Sequence, residues 1–390
     1  MKQTGSQAIT AYSLCNCLGR TTEEVVAALS ETRTGLGPPP VPLTFETVCG
    51  MVRGELPPPA AAFSEYDCRQ ARIALQTLDG IRGPVDGAVR RWGKDRVGMV
   101  MATSTGGIAV SEDAYRAFKT NQRLPEDYDF EQQHTFFAFA RFLRSLVGAE
   151  GPCYIVSTAC SSSGKALASA RRLIAADLVD AVLVGGVDSL ALTTLCGFAG
   201  LSVLSETPCR PFSSERKGMN IGEGGAMLLV ERDGDARALL CGAGESSDAH
   251  HMSSPHPEGL GASRAMKAAL ADAGMEAAAV DYVNAHGTGT SLNDAAEAAA
   301  IAALFDDDVP VVSTKGFTGH MLGAAGATEA VFTVVSIEQG WIPANLGGDP
   351  LDPEIGVRVN LTRTDHRCRV AMSNSLGFGG SNVSLVLGAP

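Results

Sequence analysis

The chain has 390 residues, of which 45% are apolar, 19% charged and only 6% aromatic, and this composition predicts a folded protein with a substantial core. Its net charge of −12 and isoelectric point near 5.1 exclude a typical nucleic-acid-binding protein, which needs a basic surface to neutralise phosphates. The length fits two domains, or one large domain with an internal duplication.

Ten cysteines are scattered along the chain without a CxxC pair or a metal-ligand spacing. Such scattered thiols predict a reducing compartment rather than a disulfide scaffold. The first residues lack the basic region and apolar run of a signal peptide, and the most apolar region, residues 181–204, is interrupted by Asp188 and several glycines. We therefore expect a cytoplasmic protein with no membrane span and no metal site.

Two proline clusters, at residues 37–42 and 56–62, predict extended surface loops in the first part of the chain. Beyond them, short apolar runs alternate with longer alanine-rich stretches, which is typical of a layered α/β protein. The apolar runs predict strands at residues 97–104, 153–158, 181–186, 281–286 and 309–314. Each of the last two is followed by a glycine-rich turn and then a helical stretch.

Two segments of the chain resemble each other. VSTACSSSGKALASA begins at Val156, and VSTKGFTGHMLGAAGATEA begins at Val312. Both predict a strand, a polar or glycine-rich turn and a helix of small residues. Three identical residues are weak evidence, but the shared strand–turn–helix context makes a two-fold repeat plausible.

Cys160 lies where the strand at residues 153–158 ends and a helix is predicted to begin. A free cysteine is most often a buried apolar residue. At a helix N-terminus, however, the macrodipole and the unpaired N–H groups lower the thiol pKa and favour the nucleophilic thiolate. The same N–H groups can stabilise an oxyanion beside the sulfur. Position therefore makes Cys160 a candidate nucleophile, whereas Cys153 inside the strand is predicted to be a core residue.

Two histidines occupy matching places after predicted strands. His286 lies just past one strand, next to Gly287 and Gly289, and His320 lies in the glycine-rich turn after another. Either histidine alone is more often a hydrogen-bonded structural residue than a catalytic one. Because sites in α/β proteins form at the carboxyl ends of strands, we expect both histidines to converge there with Cys160.

Two further features are open to more than one interpretation. Lys315 is either a solvated surface lysine or the partner of a carboxylate such as Glu329 on the following helix. SNSLGFGGSNVSLVL, at residues 373–387, is a glycine-rich turn that runs into an apolar strand. It lacks the lysine and the following helix of a phosphate-binding loop. It predicts instead a turn that brings backbone N–H groups and Phe378 against a site.

Four ordered motifs resemble those of the elongating β-ketoacyl-acyl carrier protein synthases, condensing enzymes of the thiolase superfamily. They are TACSSS at residues 158–163, NAHGTGT at 284–290, STKGFTGH at 313–320 and NSLGFGGSN at 374–382. The similarity runs from about residue 95 to the C-terminus. Leu376 stands where the family frequently has an aromatic residue, and Thr105 where an apolar pocket residue is common, which leaves the acyl chain length open.

The resemblance implies an α/β thiolase fold with two duplicated halves in a five-layered αβαβα arrangement, usually as a dimer. The halves would span residues 1–235, with the nucleophile, and residues 236–390, with the two histidines. The catalytic residues implied are Cys160, His286, His320, Lys315 and Glu329. The substrate-binding residues implied are Phe378, Phe198, Thr105, Thr288, Thr290 and Gly377. Arg69 and Arg72 are candidate contacts with the acidic carrier protein, and a solvated face explains them about equally well.

The activity implied is a decarboxylative Claisen condensation that needs no metal or organic cofactor. Cys160 would take an acyl group from acyl carrier protein, with the N–H groups of Cys160 and Phe378 around the oxyanion. His286 and His320 would hold the thioester oxygen of malonyl-carrier protein while CO2 leaves, and the chain would grow by two carbons. Fatty-acid elongation and polyene or polyketide-type synthesis both remain open, as do a homodimer and a heterodimer.

Two other functions compete with this one. A chain-length-controlling, ketosynthase-like subunit of a heterodimer has little activity of its own. Such subunits usually lack the nucleophile, so Cys160 together with both histidines argues against that role. A cysteine hydrolase that uses Cys160 and one histidine is weaker still, because it leaves the other histidine, Lys315 and the GFGG turn without a role.

Overall fold

Within residues 5–390, which the computed structural model describes, the chain contains fifteen β-strands and twelve α-helices. The strands are β1 (Gln7–Asn16), β2 (Leu36–Gly37), β3 (Cys49–Gly50), β4 (Val97–Ala102), β5 (Cys153–Val156), β6 (Ala181–Asp188), β7 (Ile221–Gly222), β8 (Gly224–Glu231), β9 (Ala238–Ser247), β10 (Tyr282–Asn284), β11 (Val311–Val312), β12 (Trp341–Ile342), β13 (Thr364–Asp365), β14 (Val370–Gly377) and β15 (Ser381–Gly388). The helices are α1 (Thr22–Ser30), α2 (Arg69–Asp79), α3 (Arg82–Trp92), α4 (Ile108–Asn121), α5 (Phe130–Gln133), α6 (Phe136–Val147), α7 (Ser162–Ala175), α8 (Leu192–Gly200), α9 (Leu260–Ala273), α10 (Ser291–Ala302), α11 (Lys315–Thr318) and α12 (Ala325–Gln339).

Ten strands form one sheet in the order β11-β10-β14-β15-β9-β1-β8-β6-β4-β5. From either edge inward the pattern is the same. β5, β4 and β6 are parallel, as are β11, β10 and β14. Antiparallel pairs then lead through β8 to β1 on one side and through β15 to β9 on the other. Two five-stranded units with one connectivity confirm the predicted duplication, whereas the boundary at residue 235 stays a prediction.

Alternate residues of the strands face helices on opposite sides of the sheet, as the period of two requires. In β4, Val100 and Ala102 pack with residues of α7 and α12, and Met99 and Met101 pack with residues of α2, α3 and α6. Helices α9 and α10 cover the outer face of the C-terminal unit. Because α12 is buried on all sides, it lies between the two sheet units. These layers form the predicted αβαβα arrangement of the thiolase fold.

All five predicted strands are present, but β4, β5, β10 and β11 each end two residues earlier than predicted. The two shortest are β10 and β11, in the C-terminal unit. Their final residues leave the strand ladder because side chains take up the backbone N–H groups. His286 N donates to the carboxylate of Glu297 at 2.8 Å, and Ser313 N donates to Asn345 Oδ1 at 2.7 Å. Because these two strands end early, the residues that follow them form the turns that carry His286 and His320. None of the helices in residues 5–390 combines the length and the apolar character that crossing a membrane requires.

Candidate active site

Cys160, His286 and His320 come together at the carboxyl ends of β5, β10 and β11, where the sequence predicted that they converge. The sulfur of Cys160 and one ring nitrogen of each histidine all lie within 4.8 Å of one another. The two imidazole ring centres are 5.2 Å apart, with the rings nearly perpendicular at 83°. All three side chains are buried. Thiolate and imidazole also ligate zinc, so this cluster is a place where a metal ion could be held.

The turn before Cys160 is built by small residues that reverse the chain between β5 and α7. Ala159 has a left-handed φ of 53°, and Ser161 occupies the N-cap of α7. Thr158 N donates to Ser162 Oγ at 2.8 Å, and that hydroxyl donates to Ala159 O at 2.6 Å. These bonds replace strand pairing with side-chain contacts. Cys160 therefore stands at the beginning of a 14-residue helix, as predicted.

The pKa of the Cys160 thiol is set mainly by burial. The sequence position predicted a lowered pKa, but burial raises the pKa of this thiol to about 11. The N–H groups of Phe378 and Cys160 and the charge of Lys315 act in the opposite direction and are outweighed. The predicted lowering is therefore wrong, because desolvation of the thiolate dominates. The same two N–H groups hydrogen-bond the sulfur, so they lie where an oxyanion on the acyl carbon would form.

Hydrogen bonds place the proton on the same ring nitrogen of both histidines. Leu322 N donates to His320 Nδ1 at 3.1 Å, and the Lys315 ammonium lies 3.3 Å from His286 Nδ1. Because the accepting nitrogen of a neutral imidazole carries no proton, each ring holds its proton on Nε2. Burial lowers the pKa of both imidazoles well below the ordinary value, and the charge of Lys315 lowers both further. Both rings are therefore neutral donors at pH 7.

Lys315 is buried and paired with Glu329, so it is not the solvated surface lysine that was the other interpretation of this residue. Its side chain is 1% exposed, and Nζ donates to Glu329 Oε1 at 2.5 Å and to the carbonyl oxygen of His286 at 2.5 Å. Burial raises the pKa of the Glu329 carboxyl, against the charge of Lys315. Glu329 lies on α12, so this pair connects the central helix layer to the His286 turn.

Two buried carboxylates on α10 shape the turn that carries His286, and sequence analysis missed both. Glu297 accepts from the N–H groups of His286 and Gly287, each at 2.8 Å. Asp294 accepts from Gly289 N at 3.1 Å. The two glycines have φ of 36° and 80°, which favours glycine over other residues. The available signal was a pair of acidic residues three positions apart on an otherwise alanine-rich helix.

The carboxylate of Asp188, at the end of β6, is also buried and binds several groups at once. Sequence analysis missed this residue as well. It accepts from Thr103 Oγ1 at 2.7 Å, from Thr105 Oγ1 at 2.8 Å and from Gly323 N at 2.7 Å. Thr105 was expected to border the acyl site, but its hydroxyl is taken up by Asp188. Within the described chain Thr105 does not line the cavity at Cys160. A substrate contact by Thr105 stays a prediction.

A cavity of about 360 Å³ opens onto the cluster. Its lining includes seven of the predicted site residues: Cys160, His286, His320, Thr288, Thr290, Gly377 and Phe378. The hydroxyls of Thr288 and Thr290 are 2.8 Å apart. Phe198 lies outside this lining and packs against Phe378, with ring centres 5.8 Å apart. The cavity therefore has a buried reactive end and an aromatic pair beside it.

The two arginines that were predicted to contact a carrier protein are both engaged within the chain. Arg69 forms an ion pair with the fully buried Glu223. Arg72 makes two hydrogen bonds of 2.7 Å to the carboxylate of Asp67. Their side chains nevertheless remain 36% and 40% exposed, and their role in docking stays a prediction. Lys217, which sequence analysis did not single out, is an exposed cation in the lining of the cavity.

Comparisons with known protein families agree with this fold. The "Beta-ketoacyl synthase, N-terminal domain" family matches residues 84–236, and the "Beta-ketoacyl synthase, C-terminal domain" family matches residues 237–349. The chain belongs to the β-ketoacyl synthase family.

Individual relatives show the same similarity. Nodulation protein E of Rhizobium meliloti is 37% identical over 303 residues, which cover 74% of this chain and 75% of the relative. The 3-oxoacyl-[acyl-carrier-protein] synthase 2 of Staphylococcus aureus is 35% identical over 310 residues, which cover 75% of this chain and 77% of the relative. A solved structure described as "Ketosynthase (ApeO) in Complex with its Chain Length Factor (ApeC) from Xenorhabdus doucetiae" contains a chain that is 36% identical. It aligns with a TM-score of 0.92 over 100% of this chain and 99% of that one.

Proposed function

We propose that this protein is an elongating β-ketoacyl-acyl carrier protein synthase of the cytoplasm. It holds an acyl group on Cys160 and extends it by two carbons from malonyl-carrier protein. The observation that carries the proposal is the buried cluster of one thiol and two Nε2–H imidazoles, His286 and His320, within a β-ketoacyl synthase fold. The chemistry needs no metal or organic cofactor.

The first half-reaction loads the enzyme. The Cys160 thiolate attacks the carbonyl carbon of the acyl thioester, and the carrier thiolate leaves. The N–H groups of Cys160 and Phe378, which already hydrogen-bond the sulfur, stabilise the oxyanion of the tetrahedral intermediate. Because burial raises the pKa of the thiol to about 11, the resting enzyme carries a neutral thiol. Only a small fraction is thiolate at any moment, which protects the residue from other electrophiles between turnovers.

The second half-reaction uses the two histidines. The thioester oxygen of malonyl-carrier protein accepts hydrogen bonds from the Nε2–H groups of His286 and His320. Loss of CO2 leaves an enolate, and these donors stabilise the negative oxygen as it forms. The enolate carbon then attacks the acyl carbonyl, and the bond to Cys160 sulfur breaks. Lys315 acts as a positioning residue, because its ammonium keeps His286 Nδ1 an acceptor.

We further propose that the chain works as a dimer, with a second copy or with a related subunit. β5 is the outermost strand on its side of the sheet, and all four of its residues are only half-buried. Phe137, on the neighbouring helix α6, is 68% exposed. An unpaired edge strand beside exposed aromatic surface is typical of a partner interface. The Xenorhabdus complex, described as a ketosynthase with a chain length factor, supports the heterodimeric option.

The remaining alternative is a chain-length-controlling subunit with little activity of its own. The complete cluster of Cys160, His286 and His320 argues against it, because such a subunit does not need a nucleophile. Both proposals require contact with acyl carrier protein, an acidic partner. Lys217 at the cavity, together with the exposed parts of Arg69 and Arg72, supplies positive charge for that contact.

Intact-protein mass spectrometry after incubation with a panel of acyl carrier proteins tests the proposal. The panel contains saturated, unsaturated and aryl-polyene acyl groups. We expect the wild-type chain and the Cys153→Ala control to gain the mass of one acyl group, and Cys160→Ala to gain none and to lose condensation by at least roughly 10³-fold. Normal condensation by Cys160→Ala contradicts the proposal. A chain that takes up no acyl group but accelerates a partner ketosynthase would identify the alternative.

A further inference from the structure

The imidazole of His320 has a single hydrogen-bond partner within residues 5–390. Leu322 N donates to its Nδ1 at 3.1 Å, and its Nε2 has no partner. The backbone of His320 is held separately, because its N–H donates to Asn220 O at 2.7 Å and its carbonyl oxygen accepts from Gly222 N at 2.9 Å. The position of the residue and the position of its ring proton therefore depend on different contacts. The ring proton depends on Leu322 alone.

Leu322 makes this bond from an uncommon backbone conformation. Its φ is 50°, in the left-handed region that leucine rarely adopts. Such a conformation persists only where neighbouring contacts hold it. The next residue makes a contact of this kind, because Gly323 N donates to Asp188 Oδ2 at 2.7 Å. This bond joins the His320 turn to the end of β6, in the other sheet unit.

The carboxylate of Asp188 is surrounded by hydrogen-bond donors. Thr103 Oγ1, which accepts from Gln70 Nε2 at 2.8 Å, donates its own proton to Asp188 Oδ1 at 2.7 Å. The backbone N–H groups of Ser104 and Thr105 donate to the same oxygen at 2.9 Å and 3.0 Å. Burial raises the pKa of this carboxyl, and these hydrogen bonds oppose the rise. Because backbone N–H groups can only donate, the site suits a group that accepts at both oxygens.

The backbone of the His320 turn approaches Asp188 so closely that there is no room for a side chain. A Cβ atom on Gly323 would lie 2.7 Å from Asp188 Oδ2 and 2.9 Å from Ser104 N. A Cβ atom on Gly186, two residues earlier on β6, would lie 2.8 Å from Gly323 O. Two glycines therefore permit the contact, and the carboxylate of Asp188 fixes it.

We propose that Asp188 is a positioning residue for condensation, which holds the Nε2–H tautomer of His320 through Gly323 and Leu322. Its effect on the reaction rests on the proposed function, in which Nε2–H donates to the thioester oxygen and then to the enolate. His286 does not depend on this contact, because its Nδ1 faces the ammonium of Lys315. Asp188 therefore acts on one of the two donors.

Asp188→Asn tests the contact selectively, because the two side chains have nearly the same shape. The amide can keep its oxygen toward Thr103, and its NH2 group, a donor, then faces Gly323 N in place of Oδ2. ¹⁵N NMR of the full chain labelled with ¹⁵N-histidine measures the tautomers at pH 7, and His320→Ala assigns the signals. In wild type we expect His320 to be protonated on Nε2. In Asp188→Asn the form protonated on Nδ1 should appear, with the His286 signals unchanged.

Single-turnover assays measure the effect on the reaction. Asp188→Asn should lower condensation by roughly 10–100-fold, the range for losing a partner that fixes a histidine, and acylation by less than about threefold. Gly323→Ala moves the turn away from an intact carboxylate, so it should have both effects and serves if Asp188→Asn does not fold. Asp281→Asn is the matched control. Its carboxylate accepts from Arg369 N at 2.6 Å and Val370 N at 2.9 Å, outside the cavity at Cys160, and its loss should change neither readout.

Two results would overturn the positioning role. One is an unchanged His320 tautomer in a folded Asp188→Asn or Gly323→Ala protein. The other is an equal loss of acylation and condensation, which would indicate a general deformation of the site. Because the NMR samples contain no substrate, the tautomer measurement does not depend on the proposed function. If the wild-type chain shows no condensation, the proposed function fails, and the tautomers still decide whether Asp188 controls His320.

Discussion

β5 and β11 hold equivalent positions at the two edges of the ten-stranded sheet, yet the turns that follow them are built differently. After β5, the chain reverses at Ala159 and enters the long helix α7 directly, so the thiol of Cys160 stands at the helix N-terminus. After β11, the short helix α11 and Gly319 intervene before α12, and His320 projects from this longer turn. Under the proposed function, one copy of the duplicated unit carries the nucleophile and the other carries the hydrogen-bond donors.

The two turns also differ in how charge is handled. No ion pair involves the turn residues Thr158–Ser163, whereas the C-terminal turn contains the buried pair of Lys315 and Glu329. Burial acts on both turns, raising the pKa of the Cys160 thiol and lowering the pKa of the imidazoles of His286 and His320. The three reactive groups are therefore neutral at rest. Under the proposed mechanism, negative charge appears only as substrate reacts, next to donors that are already in place.

Substitution of the two histidines should have the largest effect, because it should separate the contributions of the two turns to acylation and condensation. In His286→Ala and His320→Ala we expect condensation to fall by roughly 10²–10³-fold each, because each variant loses one donor to the enolate. Acylation of Cys160 should change by less than about threefold, since neither Nε2 is needed to bind the acyl oxyanion. Single-turnover assays that follow acyl uptake and CO2 release separately measure both. A comparable loss of acylation would show that the two turns do not divide the reaction.

Removal of Lys315 should test the charged turn alone. In Lys315→Met the carboxylate of Glu329 stays buried without its partner, and we expect a loss of about 3–5 kcal/mol in the free energy of unfolding. Urea denaturation measures this loss. The double variant Lys315→Met/Glu329→Leu should recover a large part of it, because no unpaired charge remains. Equal stability of the single and the double variant would mean that the ion pair of Lys315 and Glu329 does not stabilise the turn.

The pH dependence of alkylation should distinguish burial from the helix N-terminus at Cys160. With a thiol pKa of about 11, the thiolate fraction, and with it the rate of reaction with iodoacetamide, should rise about tenfold per pH unit between about pH 7 and pH 9. Peptide mass spectrometry follows Cys160, with the exposed Cys196 in the same sample as an internal control. A rate that levels off near pH 7 would mean that the helix N-terminus outweighs desolvation after all.

The smallest effect should come from outside both turns, at Glu112 on α4. Its carboxylate accepts from the first two N–H groups of α8, a helix without a capping side chain of its own. Because α8 carries Phe198, which packs on Phe378, we expect Glu112→Ala to change the acylation rate by up to about fivefold, the equivalent of one helix cap. Asp113→Ala, at the exposed neighbouring position, is the control. Identical acylation kinetics of the two variants would contradict this link.

Much of the site was predictable from local sequence. The strand–turn–helix context placed Cys160, His286 and His320 at strand ends, and the geometry of parallel strands brings such ends to one edge of a sheet. The four motifs also identified the family. These inferences succeeded because they depend on residues close in sequence, whose preferences for strand, turn and helix are local.

Only the tertiary structure decided how these residues behave. Lys315 finds Glu329 across a helix layer, Asp188 binds N–H groups from two distant segments, and no local pattern shows either contact. The sign of the Cys160 pKa shift was predicted wrongly for the same reason. A helix N-terminus can be recognised from neighbouring residues, whereas desolvation depends on which distant segments cover the thiol, and those are set when the two units pack together.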